Sequence, residues 1–141
     1  LYIEGESGIT ELSSKDTRTS DSILYAYICY YNPQFPKIIL AQAKLESGDY
    51  KSTLFRKNNN LFGMKRTSSW KANTQIGTDM GYATYEDWRN SVIDYILWQS
   101  RTLNKKLHSE EQYFQFLIKA RYAKDPNYIN KLRAILKTID I

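Results

Sequence analysis

The sequence predicts a mainly α-helical (α+β) domain of about five helices, with a small irregular β-hairpin lobe between helices two and three. Three observations lead to this class. Apolar residues recur at helical spacing through most of the chain from residue 20 onward. Ser, Asp and Pro stand where several of these segments begin. The stretch 58–84, in contrast, is rich in Asn, Ser, Thr and Gly and has no helical period.

The chain is expected to divide into an arm and one domain. Residues 1–19 are polar, rich in Ser and Thr, and without a helical or strand period, so we interpret them as a linker or extended N-terminal arm. Residues 20–141 are enough for one domain with a hydrophobic core. Helix one is expected from about Asp21 to Tyr31, with Ser20 as its N-cap. Its shared face would hold Ile23, Tyr27 and Tyr30.

Helix two is expected to begin at Pro36 and to end just before Gly48, because Pro suits the first helical position and Gly the left-handed position after the end. Ile39, Ala43 and Glu46 share one side, so a single acid closes an apolar stripe in the last turn. The negative helix end and apolar neighbours both raise a carboxyl pKa, as a general acid requires. A solvated helix-end glutamate is the common alternative.

The remaining elements follow from local signals. A helical turn at most is expected in 49–57, and a small antiparallel hairpin from the β-like pieces Phe62–Lys65 and Gly81–Tyr85. Helix starts are predicted at the capping pattern 84–87, at the capping box 109–112, and at Asp125-Pro126. The predicted inward residues of these three helices are Trp88, Val92, Tyr95, Ile96, Gln99; Tyr113, Phe116, Leu117; and Ile129, Leu132, Ile135, Leu136, Ile139.

Composition excludes several classes of protein. The chain is 42% hydrophobic and 25% charged, as in ordinary globular proteins, and no run is long and apolar enough to insert into a membrane. Cys29 is the one cysteine, expected to be buried, and His108 is the one histidine. An internal disulfide is therefore excluded, and neither a metal nor a cofactor is expected.

The net charge and the aromatic content limit the classes of binding partner, but they do not select one class. The net charge of +5 suits polyanions such as nucleic acid, anionic membrane surfaces or bacterial wall polymers. Aromatic residues make up 14% of the chain, which fits stacking on sugars or bases but also a plain core. No nucleic-acid motif occurs and the basic residues are scattered, so no nucleic-acid partner is expected.

Five motifs occur in a fixed order. They are Ala-Gln-Ala-Lys-Leu-Glu-Ser-Gly at 41–48, Lys-Ser-Thr-Leu at 51–54, Asn-Asn-Leu-Phe-Gly-Met-Lys at 59–65, Tyr-Glu-Asp-Trp-Arg-Asn-Ser at 85–91 and Tyr-Ala-Lys-Asp-Pro-Asn-Tyr at 122–128. Together they resemble the motifs of bacterial peptidoglycan endo-β-N-acetylglucosaminidases (glycoside hydrolase family 73, flagellar and autolysin type). The resemblance extends from about residue 20 to the C-terminus. It implies a lysozyme-like fold and cleavage of the wall glycan after N-acetylglucosamine.

The resemblance also implies roles for single residues. It makes Glu46 the general acid and gives Tyr122 a place in the site, where its hydroxyl would orient the substrate acetamido group or a water. A buried ring with a satisfied hydroxyl is the alternative for Tyr122. The cleft floor would be shaped by Asn59, Asn60, Phe62 and Gly63. Candidate rings for stacking on sugars are Tyr50, Trp70, Tyr82 and Tyr85.

The chain departs from the family pattern at three places, and a milder one is Asp49-Tyr50, which replaces a glycine-containing run common after Glu-Ser-Gly. Many members carry a second acid on the β lobe, but here residues 64–84 contain Asp79 as their one acid and no Glu. Asp79 is the candidate base that activates water, with a turn aspartate as the alternative. Without it, the substrate's own acetamido group would act as nucleophile. Lys124 stands where the final motif of the family has Thr.

The expected function is hydrolysis of peptidoglycan glycan strands by an exported or virion-associated enzyme. One alternative is a lytic transglycosylase, which works with one glutamate on the same glycan. Another is a non-catalytic wall-binding or assembly module. The domain is expected to be monomeric and able to form part of a larger protein.

Overall fold

In the computed structural model of the chain, residues 18–66 and 74–141 are described. They form six helices and one two-stranded antiparallel sheet. The elements are α1 (Asp21–Tyr30), α2 (Pro36–Glu46), α3 (Thr53–Asn58), β1 (Gly77–Asp79), β2 (Tyr82–Thr84), α4 (Trp88–Thr102), α5 (Glu110–Lys119) and α6 (Tyr128–Leu136). The mainly α class with a small β lobe is confirmed, with one helix more than expected. The predicted arm lies almost wholly outside the described residues, and its role as a linker stays a prediction.

The central element is α2, which packs against both α1 and α6. Six consecutive residues of this helix, 38–43, are buried, so it has no solvent-facing stripe in its middle turns. Ile39 and Leu40 belong to a core cluster shared with α1, α3 and α4, whereas Ile38 and Ala41 belong to a second cluster shared with α5 and α6. Because each buried Ile or Leu contributes about 1.5–3 kcal/mol, α2 connects the two halves of the core.

The extra helix, α3, corrects the expectation of a turn at most in 49–57. Ser52 caps it by accepting a hydrogen bond from the Phe55 amide, and Phe55 is fully buried. The helix ends at Asn59, which is left-handed with φ of 56°. Burial of one large ring and two good caps therefore stabilise a helix of six residues that propensity alone did not predict.

Two of the predicted helix starts were wrong by a few residues. Thr84 pairs with Gly77 in the sheet, and the N-cap of α4 is Asp87, whose carboxylate accepts from the Arg89 amide. Asp125 accepts from the amide of Asn127 and so closes a turn just before α6 begins. The starts at Ser20 and Ser109 are confirmed, with both side chains accepting amide hydrogen bonds.

The β lobe is smaller than predicted, and one of its two predicted strands is confirmed: β2 lies within Gly81–Tyr85, but its partner is β1 and not Phe62–Lys65. β1 pairs with β2, joined by Met80 and Gly81, which both have positive φ as a tight type I′ hairpin turn requires. The predicted strand Phe62–Lys65 is limited to one bridge between Lys65 and Tyr82.

The predicted shared face of α1 points largely to solvent. Leu24 and Ile28 are the buried residues of this helix, while Ile23 and Tyr30 are 51% and 78% exposed. Cys29 is exposed, so the expectation that it is buried was wrong. The inward stripes predicted for the three C-terminal helices are confirmed as buried or half-buried. Among the described residues, no helix has the length and apolarity needed to cross a membrane.

Candidate active site

Glu46 is the last residue of α2 and is half-buried. Burial raises the pKa of its carboxyl group, and a hydrogen bond from the Tyr128 hydroxyl opposes this shift in the pKa without cancelling it. Burial therefore shifts the Glu46 equilibrium toward the proton-carrying form, which is the form that can donate a proton.

Gly63 brings the backbone against this carboxyl group. Its φ is +66°, in the left-handed region where only glycine is unstrained. A Cβ atom built at this position would lie 2.6 Å from Glu46 Oε1 and 3.3 Å from Glu46 Cδ. Since real Cβ atoms do not approach so closely, the carboxyl group and the loop can share this space only because residue 63 is glycine.

The loop before Gly63 is held by its two asparagines. Asn60 is fully buried; its amide donates to the carbonyls of Met64 and Ala83 at 2.9 and 3.0 Å and accepts from the Met64 amide. The Asn59 side chain donates to the carbonyls of Tyr85 and Glu86. Their polar atoms thus tie the loop to the strand β2 and the turn after it, and their expected role in shaping the cleft floor stays a prediction.

Two of the candidate stacking rings are buried, so they cannot contact a sugar. Tyr85 is 3% exposed and its hydroxyl donates to Asp94 Oδ2 at 2.5 Å. Tyr50 is 2% exposed and its hydroxyl donates to Asp21. The hydroxyls made these rings look amphipathic in sequence, but each hydroxyl is satisfied by a carboxylate of the protein. Trp70 lies outside the described residues.

A cavity of about 460 Å³ opens beside Glu46. Its lining residues come from the end of α2, the loop after Asn60, β2, α4 and the segment between α5 and α6: Glu46, Phe62, Gly63, Met64, Lys65, Tyr82, Trp98, Ala120, Arg121, Tyr122, Ala123 and Lys124. The cavity therefore brings together five of the predicted site residues, namely Glu46, Phe62, Gly63, Tyr82 and Tyr122.

Asp79 is not among these lining residues. It stands at the end of β1, where its carboxylate lies 3.5 Å from the Lys57 ammonium group. Within the described ranges, Glu46 is the one acid that lines the cavity. Residues 67–73 contain no Asp or Glu in the sequence, so Asp79 is the one acid of the segment 64–84.

Tyr122 lines the cavity with its hydroxyl satisfied inside the protein, and its role toward the substrate stays a prediction. Its ring is half-buried, with the Trp98 ring edge-on at 5.2 Å and the Tyr128 ring stacked at 5.9 Å. Its hydroxyl donates to the Phe62 carbonyl at 3.0 Å. Because this bond uses the proton, the hydroxyl oxygen keeps its capacity to accept a hydrogen bond.

The sequence matches the Glucosaminidase family, described as mannosyl-glycoprotein endo-beta-N-acetylglucosaminidase, over residues 31–141. The chain belongs to this family. It is therefore a glycoside hydrolase, and the resemblance carried by the five motifs is confirmed. The glucosaminidase match begins within the segment after α1 and includes every residue that lines the cavity.

Curated relatives of this glucosaminidase domain include peptidoglycan hydrolases. The chain is 31% identical over 122 residues to the peptidoglycan hydrolase FlgJ of Salmonella typhimurium, a match that covers 72% of this chain and 39% of the relative. It is 32% identical over 120 residues to FlgJ of Escherichia coli K12, covering 71% and 38%. The chain thus spans about two fifths of the length of these relatives.

Solved structures show the same fold. The glycoside hydrolase domain of Salmonella typhimurium FlgJ superimposes with a TM-score of 0.59 at 30% identity, covering 83% of this chain and 82% of that one. The catalytic domain of the autolysin Auto from Listeria monocytogenes gives a TM-score of 0.59 at 26% identity, covering 90% and 87%. The expected lysozyme-like, mainly α fold of a glucosaminidase is therefore confirmed.

Three residues of the glucosaminidase site were missed in the sequence. Trp98 lies beside Tyr122 and is a half-exposed ring that lines the cavity. Tyr128 hydrogen-bonds to Glu46, and the buried amide of Gln42 donates to the Tyr128 hydroxyl at 3.1 Å. A signal existed for the last two, since Gln42 is a polar residue inside an apolar helix and Tyr128 ends the fifth motif.

Proposed function

We propose that the domain is an endo-β-N-acetylglucosaminidase that hydrolyses bacterial peptidoglycan after N-acetylglucosamine, with Glu46 as the general acid. The observation that carries this proposal is the raised pKa of a carboxyl group at the wall of a cavity of about 460 Å³. The peptidoglycan hydrolases among its relatives support the choice of glycan.

The first step is protonation of the glycosidic oxygen by Glu46. As the bond from this oxygen to the anomeric carbon breaks, the leaving sugar departs as an alcohol carrying the Glu46 proton, and Glu46 becomes a carboxylate. The Tyr128 hydroxyl, which hydrogen-bonds to Glu46, stabilises the carboxylate formed in this step.

The second group is supplied by the substrate. The acetamido oxygen attacks the anomeric carbon and forms a cyclic intermediate, which water opens after giving a proton to the Glu46 carboxylate. Tyr122 supports this route, because its free acceptor can hold the acetamido N–H while its own proton is bound by Phe62. Asp79 is left outside this mechanism, since it pairs with Lys57 away from the cavity lining.

A lytic transglycosylase is the second candidate, favoured by the same observation that one acid lines the described cavity. In that reaction the muramic acid C6 hydroxyl displaces the leaving group and an anhydro sugar forms without water. The non-catalytic module is the third candidate, and it would bind peptidoglycan without releasing fragments. For either enzyme, we propose a location outside the cytoplasm, where the wall glycan lies.

The test is digestion of purified peptidoglycan with product analysis by mass spectrometry. We expect new reducing ends on N-acetylglucosamine, and loss of these products in a folded Glu46→Gln variant. An Asp79→Asn variant should retain activity. Anhydro-muramic products would identify the transglycosylase, full activity of Glu46→Gln would refute the acid assignment, and inactivity of Asp79→Asn would restore the two-carboxylate mechanism.

A further inference from the structure

The cavity beside Glu46 is strongly cationic. Three positively charged side chains line it, Lys65, Arg121 and Lys124, against a single acid. Even a fully ionised Glu46 would offset only one of these three positive charges. All three cations are exposed, and over the described ranges none of them forms an ion pair with a carboxylate.

The three cations come from two separate segments. Lys65 follows the loop of Gly63 and lies over the Tyr82 ring at 5.9 Å. Arg121 and Lys124 belong to the segment between α5 and α6, which also borders a smaller depression of about 290 Å³. The nearest acid in sequence, Asp125, is occupied, because Lys131 contacts its carboxylate at 2.5 Å.

Within the described residues, none of the three cations forms an ion pair with Glu46. The causes of the shift in the Glu46 pKa are burial and the Tyr128 hydrogen bond. Like charges that share one cavity repel each other, and a neutral glycan would leave that repulsion in place. A ligand with carboxylates would relieve it through charge-assisted hydrogen bonds.

We infer that Lys65, Arg121 and Lys124 are specificity-determining residues that bind carboxylates carried by the glycan close to the cleaved bond. This inference rests on the proposed function. Two sources supply such carboxylates in peptidoglycan: the lactyl group of muramic acid once its peptide is removed, and the acidic residues of the peptide itself.

The test compares variants on four glycans. The variants are Lys65→Gln, Arg121→Gln, Lys124→Thr and the triple variant. The glycans are peptide-bearing strands, strands stripped of peptide by an amidase, peptide-bearing strands whose carboxylates have been amidated, and neutral N-acetylglucosamine oligomers. Lys106→Thr is the matched control, because it removes the same charge from another exposed loop that does not line this cavity.

Each single variant should lower kcat/KM about two- to fivefold on strands that carry carboxylates, and the triple variant by more. Neutral oligomers, amidated strands and Lys106→Thr should show no change. A loss confined to stripped strands identifies the lactyl carboxylate, and a loss confined to peptide-bearing strands identifies the peptide. Equal losses on charged and neutral glycans, or no loss on any, would overturn the inference.

Binding measurements distinguish a failure of this inference from a failure of the proposed function. The same substitutions are placed in the Glu46→Gln background, and dissociation constants for the four glycans are measured by calorimetry. Weaker binding of carboxylate-bearing strands alone supports the inference even if the wild type releases no reducing ends. Unchanged binding overturns the inference even if the wild type is an active glucosaminidase.

Discussion

Gly63 and Glu46 are the two residues whose contact defines the site. The glycine lies in a left-handed conformation, and its backbone is so close to the Glu46 carboxyl group that a side chain at residue 63 would collide with it. Backbone and carboxyl group thus fix each other's position, and this contact excludes water from one side of Glu46. The same exclusion of water raises the pKa of the carboxyl group.

Gly63→Ala should therefore inactivate the enzyme far more than it unfolds it. The new Cβ would fall 2.6 Å from Glu46 Oε1 and push the carboxyl group by nearly 1 Å, a displacement that costs about a hundredfold in rate. The left-handed backbone adds about 1–2 kcal/mol of destabilisation. Activity on peptidoglycan and urea unfolding measure the two effects.

Gly81→Ala is the matched control for this prediction. Gly81 also has a positive φ, of +84°, but a Cβ there meets nothing within 4 Å. It should show a similar loss of stability with activity nearly unchanged. If both variants lost the same activity, the contact with Glu46 would not be the cause.

Tyr128→Phe should shift the pH dependence of the reaction. The Tyr128 hydrogen bond lowers the Glu46 pKa, so its removal leaves burial unopposed and raises that pKa further. Because the proposed mechanism needs a protonated Glu46, the falling limb of the kcat profile should move to higher pH. An unchanged limb, with only a lower maximum, would show that Tyr128 has a purely structural role.

Glu46→Gln should stabilise the fold at neutral pH. The folded state raises the Glu46 pKa above its ordinary value of 4.5, so the native protein binds this proton more tightly than the unfolded chain. Stability is thus lost as pH rises through the raised pKa, and an uncharged amide avoids that loss. Melting temperatures should differ at pH 8 and converge below pH 4.5. A difference that persists in acid would contradict this account.

A chain of buried hydrogen bonds connects the helices α4, α5, α2 and α6 and leads to Glu46. Gln99 of α4 donates to Tyr113 of α5 at 2.8 Å, and the Tyr113 and Tyr95 hydroxyls are 2.6 Å apart. Tyr95 donates to the Gln42 carbonyl, and the Gln42 amide donates to Tyr128 of α6. Because Tyr128 accepts from Gln42, its own hydroxyl proton is available to Glu46. The packing of the helices therefore orients the hydroxyl group that hydrogen-bonds to Glu46.

Tyr95→Phe should measure the energy of this chain. It leaves the buried Gln42 carbonyl without its donor, which costs about 1–3 kcal/mol. Tyr30→Phe is the control, since Tyr30 is 78% exposed and should change stability by less than about 0.5 kcal/mol. Denaturant unfolding gives both values, and equal midpoints would mean that the chain contributes nothing to stability.

For the whole molecule, the net charge of +5 should make wall binding depend on salt. Binding to insoluble peptidoglycan should weaken between about 0.01 and 0.15 M salt, because the Debye length falls from about 30 to about 8 Å. Binding to insoluble chitin, which is neutral, should not change. Pelleting assays at both salt concentrations measure this, and equal sensitivity of both polymers would exclude electrostatic attraction.

The sequence alone determined the helical class, the Pro36 start of α2, the caps at Ser20 and Ser109, and Glu46 as the acid at a helix end. These features depend on neighbours three or four residues away, so local spacing contains them. The family motifs then brought Tyr122 and Gly63 into the same site.

Only the tertiary structure decided which polar and aromatic side chains face the cavity. Asn60 and Tyr85 have hydroxyl or amide groups that look available in sequence, yet both are satisfied inside the protein. Trp98 and Tyr128 reach Glu46's surroundings from helices more than 50 residues further along the chain. Contacts at such separations follow from how helices pack, because burial depends on three-dimensional neighbours and not on sequence spacing.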